Sequence, residues 1–229
     1  MATASSPPAT TPKETRVDAR FGRWLALLVA AALVLRVAYV LVVERGDPLS
    51  GDGAYYHEAA NLLADGLGFT EPYRYLHGGA QELLFVDDPS SVLPTANTVL
   101  PIGHVEPTAG HPPLWVVVLG LFSALGLTGT TAHQLVGAFV GAAGVAAVGW
   151  AGRTLDGPRT GLLAGGLATF HACLWLNDGL VMSESLVVSC VALLVIVGFR
   201  FHRSPDIRSV LLLGAVGGLC ALTRAELLL

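Results

Sequence analysis

The stretch GRWLALLVAAALVLRVAYVLVV, residues 22–43, is long and apolar enough to cross a bilayer as one helix. Further apolar runs predict spans over residues 131–152, 159–177, 184–201 and 209–229. No soluble fold needs so many runs of this length. The sequence therefore predicts an all-α integral membrane protein, built as a polytopic helical bundle.

The composition supports the membrane class. The chain has 229 residues, of which 53% are hydrophobic and 13% are charged, whereas soluble domains carry about 25% charged residues. The net charge of −4 gives no indication of a nucleic-acid partner. The three cysteines, Cys173, Cys190 and Cys220, lie inside apolar runs, so we expect neither a disulfide framework nor a cysteine metal cluster.

The two ends of the chain differ in character. Residues 1–21 are rich in Ser, Thr, Pro and Ala and are predicted to be a disordered cytoplasmic tail. A signal peptide fits poorly, because the apolar run is too long and no small-x-small cleavage site follows it. The sequence stops at Leu229 inside an apolar run, so the module over residues 22–229 is expected to be incomplete at its C-terminus.

The apolar run at residues 112–127 decides the topology, because its length suits an interfacial helix as well as a span. If it does not cross, the N-terminal tail and the connectors 153–159 and 200–208 share the cytoplasmic side. Nine of the thirteen Lys and Arg residues are then inside, as the positive-inside rule favours. We therefore predict that it lies along the outer surface of a plasma membrane. Residues 44–128 then form a large external loop with amphipathic juxtamembrane helices.

This topology brings Asp52, Glu184 and Arg224 to one membrane face. Asp52 lies in Gly51-Asp52-Gly53-Ala54-Tyr55-Tyr56, at the start of an amphipathic stretch. It is a candidate general base, since desolvation near lipid raises the pKa of a carboxyl group. Asp is also a favoured N-cap, so a capping role is an equal alternative.

Glu184 begins the span at 184–201, where a carboxylate also interacts favourably with the positive end of a helix. With Asp52 it is a candidate ligand pair for a divalent ion such as Mg²⁺ or Mn²⁺. Asp178, one turn earlier, is a weaker candidate.

Arg224 and Arg36 each have more than one possible role. Arg224 could hold a phosphate through paired hydrogen bonds, but it could also snorkel to head groups or pair with Glu226. Arg36 lies within the first span, where a charge is costly. Glu44, Glu184 and the membrane surface are its candidate partners, and the sequence does not choose among them.

His111 precedes two prolines, which force an extended entry and then a helix start. The histidine could contact a phosphate or a sugar hydroxyl, and a structural role is the alternative. Tyr55 and Tyr56 fit the aromatic belt at a membrane surface.

The order of these motifs resembles the N-terminal half of the GT-C superfamily of integral membrane glycosyltransferases. The protein O-mannosyltransferase and aminoarabinose transferase-like proteins are the most similar in character. The motifs are Asp52-x-x-Tyr55-Tyr56, His111-Pro112-Pro113-Leu114, Ser183-Glu184-x-Leu186 and Leu222-Thr223-Arg224.

The resemblance implies a GT-C fold and an enzyme that moves a sugar from a polyprenyl-phosphate donor to an acceptor at the outer face, with inversion. It makes Asp52 the catalytic acidic residue and Glu184 the second acidic residue, a candidate metal ligand. It assigns Arg224, with His111, Tyr55 and Tyr56, to phosphate or substrate binding. The alternatives are a transporter or permease, and a non-catalytic membrane assembly factor. The sequence identifies neither the sugar nor the acceptor.

Overall fold

The computed structural model describes residues 12–78 and 102–228, with side chains described over 18–78 and 102–227. These ranges fold almost entirely as helix, so the all-α class is confirmed for the described part of the chain. The helices are α1 Pro12–Tyr39, extended by a π-helical turn at Val40–Glu44, α2 Gly51–Ala64, α3 Pro72–His77, α4 Pro113–Ala124, α5 Thr130–Asp156, α6 Pro158–Phe170, α7 Ala172–Gly179, α8 Glu184–Arg203, α9 Ile207–Thr223 and a 3₁₀ turn at Ala225–Leu228.

Three helices in the described ranges are long and apolar enough to cross a membrane: Asp18–Glu44, Thr130–Asp156 and Glu184–Arg203. At 1.5 Å per residue the shortest of them is about 30 Å long, which matches the hydrocarbon core of a bilayer. They contain the predicted spans 22–43, 131–152 and 184–201.

The other predicted boundaries differ from the structure. The span 159–177 is two helices, α6 and α7, because His171 adopts an extended backbone between them (φ −71°, ψ 110°). The last span ends at Thr223, since Arg224 is also extended (φ −158°, ψ 127°). Residues 12–21, predicted to be disordered, instead continue α1, and their Lys, Glu and Arg residues favour a helix. Residues 1–11 lie outside the described part.

Helix α5 is the centre of the bundle, and α1 packs antiparallel to it. Asp18 pairs with Arg153 near the start of α1, whereas Arg36 reaches Gly141 farther along. Helices α6 and α7 together follow α5 back along its length, because Gly161 lies against Gly149 and Asp178 lies against Gly137.

The helices α8 and α9 complete a bundle with two distinct ends. Arg203 donates to the carbonyl of Thr154 at 3.2 Å, so the end of α8 meets the end of α5. We call this end, with Arg153, Arg159, Arg203 and Arg208, the arginine-rich end. Helix α9 returns from it, and Arg224 reaches Glu184 at the opposite end of α8.

The short helices α2, α3 and α4 lie at that opposite end. Helix α4 has twelve residues, about 18 Å, which is too short to cross a bilayer by itself. It packs against α2 in an apolar cluster that includes Tyr55, Tyr56, Trp115 and Leu119. Residues 69–71 and 106–108 pair as short extended segments, which holds the chain before His111 against the segment between α2 and α3.

Glycines allow the close approach of α6 to α5. A Cβ atom on Gly161 would lie 2.5 Å from the carbonyl oxygen of Gly149 and 2.8 Å from the ring of Phe21. Gly166 lies on the same helix, but a Cβ there would meet nothing within 4 Å. Small residues at such contacts let helix backbones approach and gain van der Waals packing.

This contrast predicts opposite effects for two alanine substitutions. Gly161→Ala should lower the free energy of unfolding by about 1–3 kcal/mol, because the new methyl group overpacks the interface. Gly166→Ala should be neutral or stabilising, since alanine has the higher helix propensity. Unfolding of both variants in mixed detergent micelles measures the difference. Equal stability of the two variants would contradict the close α5–α6 contact.

Candidate functional site

A polar cavity of about 260 Å³ opens at the end of the bundle opposite the arginine-rich end. Its charged and titratable lining comes from four separate parts of the chain. Asp52 comes from α2, His111 from the segment before α4, Glu184 from α8, and Arg224 and Glu226 from the segment after α9. The structure therefore brings together Asp52, His111, Glu184 and Arg224, which the sequence singled out.

Asp52 is the second residue of α2, after the N-cap Ser50, so it is not the N-cap itself. Its Oδ1 atom lies 3.3 Å from Nε2 of His111, and its side chain is 53% exposed. The carboxylate thus has an imidazole on one side and is open to the cavity. This arrangement suits proton transfer to or from a bound molecule.

His111 is fixed by aromatic contacts. Its ring stacks on Tyr55 with a centroid distance of 4.1 Å, and it meets the edge of Tyr56 at 5.2 Å. Pro112 is the N-cap of α4, so the helix begins immediately after the histidine. Tyr56 lines the cavity, whereas Tyr55 supports the histidine. Burial raises the pKa of both tyrosines, so their phenols stay neutral.

Arg224 lies between two carboxylates. Its Nη1 atom is 2.7 Å from Oε1 of Glu184, and its Nε atom is 3.4 Å from Oε2 of Glu226. The hydrogen bond to Glu184 raises the pKa of Arg224, so the guanidinium keeps its charge. Its side chain is 41% exposed, and it can therefore be reached by an anion in the cavity.

The connector between α7 and α8 leads directly into Glu184, and contacts from several helices hold it. Trp115 donates its indole N–H to the carbonyl of Val181 at 2.9 Å, and Gln134 donates to the carbonyl of Gly179 at 2.8 Å. Gly53 of α2 packs directly on the carbonyl of Leu180, where a Cβ atom would not fit. Val181 has a positive φ of 58°, a conformation that is strained for a β-branched residue. The clamps hold this strained turn beside the cavity.

The two predicted metal ligands, Asp52 and Glu184, line the same cavity, and each lies beside another charged or titratable side chain. Asp52 is paired with His111, and Glu184 is paired with Arg224. Among the described residues, no group of three or more His, Cys, Asp or Glu side chains is arranged to hold a metal ion. The pair of Asp52 and Glu184 as ligands of a divalent ion therefore stays a prediction.

Arg36 has a partner that the sequence did not select. Its Nε atom lies 2.9 Å from Oδ2 of Asp178, and both side chains are sealed from solvent, at 1% and 0% exposure. Glu44, one of the candidates, instead accepts a hydrogen bond from Tyr39. Asp178, the weaker candidate beside Glu184 in the sequence, faces the inside of the bundle. The sequence predicts that Arg36 has a partner, because a charge inside the membrane requires one, but it does not predict which acid that partner is.

A second polar network was also missed. His57 and His133 place their Nδ1 atoms 2.9 Å apart, and Nε2 of His133 lies 2.9 Å from Oγ of Ser123. Ser123 in turn donates to Asn61 at 2.7 Å. These side chains join α2, α4 and α5, and no local spacing in the sequence links them.

Comparisons with protein-family models, curated proteins and solved structures find no match for this chain. The chemistry of the cavity is therefore inferred from its geometry and from the order of the sequence motifs. The geometry provides an exposed carboxylate beside an imidazole, and a guanidinium between two acids.

The clamp on the connector generates a stability prediction. Trp115→Phe removes the indole donor and leaves the buried carbonyl of Val181 unsatisfied, so the free energy of unfolding should fall by about 1–3 kcal/mol. Trp24→Phe is the matched control, because Trp24 is 59% exposed on α1. Unfolding in mixed micelles compares the two variants. A loss in Trp115→Phe no larger than in the control would contradict the role of this hydrogen bond.

Proposed function

We propose that this chain is a membrane glycosyltransferase module of the GT-C type, which moves a sugar from a polyprenyl-phosphate donor to an acceptor. The observation that carries the proposal is the convergence of Asp52, His111, Glu184 and Arg224 on one cavity. These residues belong to the motifs whose order resembles that superfamily. They come from distant parts of the sequence, yet they provide both a base and an anion-binding group.

The two ends of the bundle support an orientation. The arginine-rich end carries Arg153, Arg159, Arg203 and Arg208, and loops with such an excess of positive charge remain in the cytoplasm. The cavity is at the opposite end and would face outside the plasma membrane. A donor with its isoprenoid chain in the bilayer would then present its phosphate and sugar at the level of the cavity.

Arg224 is the group proposed to hold the phosphate. An exposed guanidinium can bind phosphate oxygens through paired hydrogen bonds. The N-terminus of α8 lies beside it, and the positive end of a helix dipole also favours an anion. Glu184 orients the guanidinium through the 2.7 Å contact.

Asp52 is the proposed general base. It accepts the proton of an acceptor hydroxyl as that oxygen forms a bond to the anomeric carbon of the sugar. The bond from that carbon to the phosphate oxygen breaks, and its electron pair stays with the lipid phosphate. The transition state has oxocarbenium character, as in other glycosyl transfers. Arg224 stabilises the charge on the departing phosphate, a contribution worth about 100- to 1000-fold in rate for a preorganised donor.

A transporter is the second candidate, favoured by two observations. The Arg36–Asp178 pair places charges inside the bundle, and the break at His171 interrupts a membrane-length run, as in many transporters. The void beside the pair holds only about 10 Å³, room for about one water molecule. This sealed arrangement favours a structural role for the pair and leaves the polar cavity as the better candidate site.

The proposal predicts the effect of one isosteric substitution. Asp52→Asn should lower sugar transfer by about 100-fold or more, because it removes the proton acceptor and keeps the shape. Asp65→Asn is the control, since Asp65 is exposed at the other end of α2. The assay follows a labelled sugar from a polyprenyl-phosphate donor in proteoliposomes that contain this chain. Near-native turnover by Asp52→Asn would exclude Asp52 as the base, and solute flux without transfer would favour the transporter.

A further inference from the structure

We propose that the buried pair of Arg36 and Asp178 is a positioning pair, which fixes Glu184 and through it Arg224 in the cavity. The effect of this pair on catalysis rests on the proposed function, but its effect on the position of Glu184 does not. Neither residue lines the cavity, so both act through other side chains.

The pair is inserted directly against the backbone of α5. A Cβ atom on Gly141 would lie 2.7 Å from Nε of Arg36 and 2.8 Å from Oδ1 of Asp178. The glycine therefore leaves the space that the two side chains occupy. Asp178 also covers Gly137, one turn away, where a Cβ atom would be 3.1 Å from the Asp178 carbonyl oxygen. The end of α7 is thus held in one place between α1 and α5.

A chain of three contacts leads from this pair to the cavity. Arg36 holds Asp178, and Oδ1 of Asp178 accepts a hydrogen bond from the hydroxyl of Ser185 in the first turn of α8. Ser185 is itself buried, with 3% exposure. Its neighbour Glu184 then meets Arg224 at 2.7 Å. A change at Asp178 is therefore transmitted to the first turn of α8, from which Glu184 projects.

The other clamps on this connector act on different atoms. Trp115 and Gln134 hold the carbonyls of Val181 and Gly179, which lie before α8. The hydrogen bond from Ser185 to Asp178 holds the first turn of α8 itself, so it sets the position of Glu184 relative to the strained turn at Val181.

Energetics also favour a positioning role over a stabilising one. A buried ion pair contributes little net stability compared with apolar residues of similar volume, because both charges lose their hydration. The two charges must nevertheless stay next to each other, because a buried charge without its partner is strongly destabilising. The ion pair therefore fixes the helices that carry Arg36 and Asp178 in one arrangement. Here that arrangement joins α1, α7 and the first turn of α8.

The coupling between Glu184 and Arg224 tests the proposal without any assay of sugar transfer. Glu184→Gln, Arg224→Gln and the double variant form a double-mutant cycle, measured by unfolding in mixed micelles. In the native background the two changes should be coupled by about two- to fivefold in the unfolding equilibrium constant, as for other partly exposed pairs. The same cycle is repeated in a Ser185→Ala background and in an Asp178→Asn background.

The proposal predicts that the coupling falls below about 1.5-fold in both backgrounds, because Glu184 no longer faces Arg224 in one fixed geometry. Ser189→Ala is the control background. Its hydroxyl contacts only the carbonyl of Ser185 among the described hydrogen bonds, so coupling there should be unchanged. Lower overall stability with full coupling in the Ser185→Ala background would overturn the proposal. If Asp178→Asn does not fold, Ser185→Ala still decides the question.

Transfer assays then separate this proposal from the proposed function. If the native chain transfers sugar, Ser185→Ala should lower kcat by about tenfold or more and leave KM for the donor within about twofold, since positioning acts on the transition state. Native kcat in Ser185→Ala would contradict the positioning role. If the native chain transfers no sugar, the proposed function fails, and the coupling measurement still decides whether the pair positions Glu184.

Discussion

The close approach of three helices to α5 is the constraint on which the rest of this structure depends. Gly137, Gly141 and Gly149 of α5 and Gly161 of α6 let α1, α6 and α7 lie close to α5, where an added methyl group would clash or be crowded. Because these helices cannot slide past one another, the two ends of the bundle have fixed contents. One end collects arginines, and the other collects the acids, the histidine and the single arginine of the cavity. Packing thus keeps the arginine-rich end and the cavity at opposite ends of the bundle.

The sequence predicted the helices that are decided locally and missed the features that depend on tertiary contacts. Length and apolar content were sufficient for three membrane-length helices. The break at His171 was not predictable, because the apolar run continues through it and contains no proline. The partner of Arg36 was likewise open, since several acids were candidates and only the packing of α7 on α5 selects Asp178. Charge placement predicted that Asp52, Glu184 and Arg224 share one end, but not that His111 holds Asp52.

The cavity contains two pairs of side chains, and contacts link each pair to the buried part of the bundle. Asp52 is paired with His111, which rests on Tyr55 in the apolar cluster between α2 and α4. Glu184 is paired with Arg224 and is linked through Ser185 to the buried pair. The carboxylate proposed as the base and the guanidinium proposed to bind the phosphate are therefore held by different parts of the fold and face one space. Such preorganisation is what a transfer reaction with a charged leaving group requires. The proposal rests on the fact that the residues of the GT-C-like motifs meet in one cavity.

The most direct test of this account is to measure which side of the membrane each end of the bundle faces. The three native cysteines are first replaced, and single cysteines are then introduced at positions 65 and 156, which are both exposed in the structure. Position 65 reports on the end of the bundle that holds the cavity, and position 156 reports on the arginine-rich end. The account predicts that an impermeant maleimide added outside intact cells labels position 65 and reaches position 156 only after the membrane is opened. Labelling of both positions from outside, or of position 156 alone, would contradict an outward-facing cavity and the proposed sugar transfer.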